Sequence, residues 1–103
     1  MEMTVVWTDE ALNQLNDIFE YYHWKAGINV ARKLVVSLID RTLSLEQLPL
    51  IGQKEELLKG RKRTYYYLVE GNYKIIYWVD KTFVKIAGVF DCRQNPIKMK
   101  LIK

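Results

Sequence analysis

The side chains best equipped for chemistry in this chain are cations and aromatic rings. Lys59-Gly60-Arg61-Lys62-Arg63 places four cations in five residues, Lys54 precedes it, and Tyr65, Tyr66 and Tyr67 come directly after. Cations beside stackable rings suit single-stranded nucleic acid, where phosphates meet Lys/Arg and bases meet rings. They also suit a solvated strand edge, since lysines and arginines discourage edge-to-edge association, or a protein-partner site. A charge run alone carries little information, and the edge or protein-partner reading is preferred over RNA contact.

The remaining candidates are isolated. His23 is the only histidine, so any neutral-pH imidazole chemistry must use it. It falls in the last turn of a predicted helix, where the dipole favours positive charge, and a surface role suffices. Cys92 has no catalytic pattern around it and reads as a small buried or half-buried side chain. Arg93, delivered near the end of a predicted strand, offers a fixed fork for a carboxylate or phosphate. An internal salt bridge to Asp91 or to a helix carboxylate explains it equally well. With one Cys and one His, metal chemistry fails on ligand count. The five glycines are isolated, which excludes a phosphate-cradling loop. Triad, metal and nucleotide-loop enzymes are disfavoured, and no cofactor is expected.

The chain has 103 residues, half of them hydrophobic and 27% charged, which fits one packed domain spanning 1–103. A single cysteine excludes an internal disulfide framework. The start, Met1-Glu2-Met3-Thr4, carries acid where a signal peptide has basic residues, and no apolar run approaches a membrane span. A cytoplasmic protein without membrane contact is the expectation. Net charge is +4, but residues 1–53 carry −3 and residues 54–103 carry +7. A basic half favours an acidic or polyanionic partner.

These candidates hang on a legible series of elements. Met3–Trp7 predicts a strand. Thr8 is a plausible N-cap, and Leu12, Leu15, Ile18, Phe19 and Tyr22 form a stripe predicting a helix over 9–25. Asn29 can cap a second helix with Ala31, Leu34, Val35, Leu38, Thr42 and Leu45 on one face, ending near Glu46–Gln47 before Pro49. About four residues between the helices predict an antiparallel hairpin. Pro49–Glu56 reads as turn. Thr64–Val69, Tyr73–Val79 and Phe83–Phe90, joined by short turns, predict an antiparallel meander. In the middle strand Lys74, Ile76 and Trp78 share one face, and Tyr73, Ile75, Tyr77 and Val79 the other. The fold class is α+β: an N-terminal strand, a two-helix antiparallel hairpin, then a three-stranded antiparallel meander, forming one curved antiparallel sheet.

Several segments, in this order, resemble the RelE/ParE superfamily, the toxin halves of bacterial type II toxin–antitoxin pairs. They are Ala11-Leu12-xx-Leu15-xx-Ile18-xx-Tyr21, Ala31, Leu48-Pro49-xx-Gly52, Gly71-Asn72-Tyr73-Lys74-Ile75-Ile76-Tyr77, and Val89-Phe90-Asp91-Cys92-Arg93-Gln94-Asn95-Pro96. The resemblance covers nearly the whole length and implies a sheet carrying an N-terminal helical hairpin.

Two activities are compatible with it. RelE-like members cleave mRNA on the ribosome without a metal, and ParE-like members inhibit DNA gyrase. A ribonuclease needs a base, an acid and cations on the phosphate. The resemblance offers Lys74, Arg93 and, loosely, Lys54 or Lys59, but no Tyr, His, Asp or Glu follows Asp91. That departure turns the reading towards a ParE-like inhibitor without catalytic residues. A homologue acting only as a binding module is a third possibility. The implied partner is a cognate antitoxin with an acidic C-terminal segment that folds on binding, with oligomerisation mainly through that complex. Arg61, Lys62, Arg63, Lys74 and Arg93 are the expected antitoxin- or target-binding residues.

Overall fold

The computed structural model describes residues 2–102. Chain order is β1 (Thr4–Trp7), α1 (Asp9–Ala26), α2 (Ile28–Leu43), β2 (Gln53–Lys54), β3 (Tyr66–Glu70), β4 (Tyr73–Asp80) and β5 (Phe83–Asp91). Short 3-10 turns occupy Ser44–Glu46, Glu56–Leu58 and Pro96–Leu101. The strands form one sheet in the order β1-β5-β4-β3-β2. The expected meander, β3-β4-β5, is antiparallel. Two details differ from expectation: β1 runs parallel to β5, and the brief β2 adds a fifth strand beside β3. Among the described residues no helix is long and apolar enough to cross a membrane.

Thr8 shows how local chemistry sets the layout. Its hydroxyl accepts from the Ala11 N–H, capping α1, while donating to the Ile86 carbonyl of β5 at 2.8 Å. One side chain therefore both starts the helix and pins that start to the sheet. Gly27, at φ 95°, closes α1 by donating to the His23 carbonyl and opens α2 by accepting from Ala31. A left-handed glycine lets the chain reverse in one residue, so the connection is shorter than the four expected. Gly27, not Asn29, stands at the N-cap of α2. The second helix tightens into the Ser44–Glu46 3-10 turn, a common way to finish a helix.

The hairpin covers one face of the sheet. Ala11 and Leu15 of α1, with Leu38 of α2 and Leu45, pack on Leu68, Tyr73, Ile75, Tyr77, Val84, Ile86 and Val89. The α2 stripe is buried or half-buried throughout as expected. On α1 the buried line instead runs Ala11-Leu15-Ile18-Tyr22, leaving Leu12 47% exposed. The other face is not open to solvent. Leu58, Tyr65, Ile76, Ala87 and Phe90 form a second core, sealed by Met99 and Ile102 from the C-terminal segment.

A bulge in β5 connects the two cores. Ile76 pairs with Gly88 and Tyr77 with Ile86, so Ala87 is an extra residue. Because the strand period is two, the insertion exchanges the faces beyond it. Val84 and Ile86 point to the hairpin before the bulge, and Val89 does so after it. Pairing with β1 ends at Ile86. Beyond that point the Val89 N–H is taken by the Gln14 side-chain oxygen of α1 at 2.7 Å. The approach is close: a Cβ on Gly88 would lie 2.8 Å from that oxygen.

Candidate functional site

The expected site residues divide between two places. Lys59, Arg61, Arg63 and Lys74 belong to the sheet face opposite the hairpin, with Lys62 exposed in the loop between the two arginines, whereas Arg93 sits at the corner where β5 ends beside α1.

On the first face, β4 carries Lys74 on the same side as Ile76 and Trp78. Its ammonium lies 3.0 Å from Glu55 Oε2 and 4.2 Å from the centre of the Tyr67 ring. Glu55 is only 5% exposed. Its N–H donates to the Tyr65 carbonyl, and its Oε1 accepts from the Leu57 N–H. A buried carboxylate is costly unless paired, and Lys74 is what pairs it. Arg63 stacks over Trp78 at 4.1 Å. Arg61 lies over the Tyr65 ring and donates to the carbonyls of Lys100, at 2.6 Å, and Ile102. It therefore clamps the C-terminal segment onto the second core. Lys59 and Lys62 are exposed. Lys54, Lys59, Arg61 and Arg63 line a cavity of about 330 Å³ whose acidic members are Glu55 and Glu56.

At the corner, Arg93 grips Asp91 through a two-pronged contact, Nε to Oδ1 at 3.0 Å and Nη2 to Oδ2 at 2.8 Å. The Arg93 N–H adds a third bond to Oδ1. Nη2 also donates to the Tyr22 hydroxyl of α1 at 3.3 Å. These contacts hold the Asp91 carboxyl below the usual aspartate range, Arg93 donation being the main cause. Donation from Arg93 and then Tyr73 lowers Tyr22, while burial first and the bond to Tyr22 second push Tyr73 upward. The corner closes one end of a groove of about 660 Å³ between α1 and the Pro96–Leu101 turn, lined among others by Gln14, Tyr21, Lys98 and Leu101.

The other single residues fall as follows. His23 is exposed in the last turn of α1, against the Phe19 ring. Cys92 is exposed, not buried or half-buried, because β5 ends at Asp91 and the thiol belongs to the following turn. Among the described residues no cluster of His, Cys, Asp and Glu could hold a metal ion. Sequence reasoning missed Glu55, which it left in a turn, and the partnership of Tyr22 with Arg93 across 71 positions. It also missed Gln14, whose side-chain oxygen takes the Val89 N–H. Nothing in their spacing marks these pairs.

What this arrangement offers is recognition. Two cation-bearing surfaces flank the sheet, with stretches of edge beside them that no other strand pairs among the described residues. β2 covers only Tyr66 and Tyr67 of β3, and β1 stops short of the second half of β5.

A family profile described as the ParE toxin of type II toxin–antitoxin systems, parDE, matches residues 5–96. No match is found among curated proteins. Among solved structures, the chromosomal ParDE toxin–antitoxin system from P. aeruginosa superposes with a TM-score of 0.74 at 18% identity, covering 87% of this chain and 96% of that one. The RelBE2 toxin–antitoxin complex from Mycobacterium tuberculosis superposes at 0.64 with 19% identity, covering 88% and 99%. These likenesses establish a shared fold. The profile, spanning both helices and the whole meander, establishes more: the chain belongs to the ParE toxin family of type II toxin–antitoxin systems.

Proposed function

We propose that this protein arrests growth by binding an essential target, DNA gyrase, and is silenced when a cognate antitoxin occupies its basic surfaces. The observation that carries the reading is the state of the two cations a ribonuclease would use. Lys74 is held by Glu55 and Arg93 by Asp91. A cation already neutralised by its own chain is poorly placed to stabilise a phosphate in flight. They also lie apart, Lys74 on the face opposite the hairpin and Arg93 beside Tyr22, which packs against the hairpin core.

The antitoxin reading draws on the same surfaces. An extended acidic segment gains affinity from backbone pairing at a free strand edge, and association speed from cations around it. Lys62 and Arg63 are exposed and supply that field. Arg61 and Lys74 hold the surface in shape.

The test is a pair of assays on the purified protein. Inhibition of gyrase supercoiling without ribosome-dependent mRNA cleavage is the expected result. Specific transcript scission that disappears in Lys74→Met or Arg93→Gln would replace this reading with a RelE-type nuclease.

A further inference from the structure

The hairpin tip carries the most exposed large hydrophobic side chain among the described residues, Trp24. His23–Val30 are eight consecutive exposed residues. Within them Trp24 is 83% exposed, and Ile28 and Val30 are exposed too. No Asp or Glu occurs between Glu20 and Asp40, whereas Lys25, Arg32 and Lys33 do. The half of the chain that is acidic in total therefore carries an end where cations outnumber carboxylates, the nearest carboxylate on α1 being the exposed Glu20, one turn before Trp24. An indole held out in water among cations is a poor packing residue but a good anchor, since Trp dominates the energetics of protein interfaces.

We propose that this tip is the element that engages the target, and that its counterpart is an apolar pocket ringed by carboxylates on a folded protein. The assignment rests on the reading of this chain as an inhibitor that acts by binding. Charge and shape select the occupant. A second copy would set Lys25, Arg32 and Lys33 against their own likeness. The antitoxin segment is extended and suits a groove, whereas the tip projects and requires a concavity. Trp24 lines neither cavity.

The tip is nevertheless wired to the groove. Lys25 Nζ bonds the Tyr21 hydroxyl at 3.0 Å, the Tyr21 and Tyr22 rings meet edge to face at 5.0 Å, and Tyr22 accepts from Arg93. Tyr21 and Arg93 both line the groove. A segment seated there stands within one helical turn of Trp24 and excludes a bulky target by adjacency, without covering the indole itself.

Trp24→Ala and Lys25→Glu test the assignment. Trp24 is so exposed that its removal leaves folding intact, checked by circular dichroism and thermal melting. Each variant is titrated into gyrase supercoiling, induced in cells to score growth arrest, and titrated with antitoxin. Half-inhibition requiring about tenfold more Trp24→Ala protein, with antitoxin affinity unchanged, is the expected result. Equal inhibition by Trp24→Ala and wild type overturns the tip while leaving the inhibitor reading intact. A parallel loss of antitoxin affinity overturns it too, assigning Trp24 to the antitoxin face. Binding of wild type to DNA alone, lost in Lys25→Glu, replaces the protein partner with nucleic acid and overturns it. If wild type spares gyrase, the gyrase reading fails and growth arrest decides the tip: loss in Trp24→Ala upholds it, retention overturns it. If wild type neither inhibits gyrase nor arrests growth, the inhibitor reading and the tip fall together.

Discussion

The two faces of the sheet are both covered, but by opposite means. One lies under two full helices, α1 and α2, whose apolar stripes interlock with alternate residues of β3, β4 and β5. The other is closed by two 3-10 turns and a handful of side chains, with Arg61 tethering the last segment by its carbonyls. A helix satisfies its own backbone and brings only side chains to the core. An irregular strap needs outside donors for its carbonyls, and here a cation supplies them. The comparison teaches that Arg61, in the middle of the basic run, is committed to architecture, so positive charge in the sequence overstates the charge free to meet a partner.

The sharpest way to break this contrast is to carve a cavity on each side. Leu38→Ala, on the fully buried hairpin side, is expected to cost about 4 kcal/mol, and Met99→Ala, under the strap, about 2 kcal/mol, because a short segment collapses into the space more readily. Denaturant unfolding measures both, and equal costs would show that the strap is as rigid as the helices.

A middle-sized effect separates the members of the Glu55–Lys74 pair. Lys74→Met strands a buried carboxylate and is expected to cost about 2 kcal/mol, against about 1 kcal/mol for Glu55→Gln, which keeps an acceptor and leaves the more exposed lysine to solvent. The reverse order would mean that Lys74 is the anchored partner and Glu55 the adaptable one.

The smallest effect concerns the corner. Asp91 titrates below the ordinary aspartate range because Arg93 favours its ionised form. Its contribution is therefore complete above the unfolded-state value and fades as the pH drops through the lower folded value. A carboxyl NMR titration should place the Asp91 midpoint below a model aspartate and move it upward in Arg93→Gln. An unmoved midpoint would assign the depression to the backbone.

How much of this was written in the sequence depends on whether a residue's partner is local. The α2 stripe from Ala31 to Leu45 and the two faces of β4 follow from periodicity alone, and both match the structure. Leu12 misled because Ala11 takes the buried position one residue earlier, and a small side chain carries little weight in a hydrophobic pattern. The bulge at Ala87 is marked only by the isolated Gly88 beside it, yet it decides which side of β5 faces α1. The second core depends on Met99 and Ile102 returning from beyond Pro96, in a segment read for its missing acid/base and not for packing. The site residues were partly legible: Arg93 with Asp91 is a contact two positions apart, whereas Lys74 with Glu55 and Arg93 with Tyr22 join distant segments.

The bond from Gln14 to the Val89 N–H has a consequence for solubility. A bare strand margin recruits any passing extended chain, including another molecule of the same protein. Here a side-chain amide imitates the neighbouring strand's carbonyl and stoppers that donor. A cognate ligand with enough other contacts can evict one glutamine, whereas a casual encounter gains too little to do so.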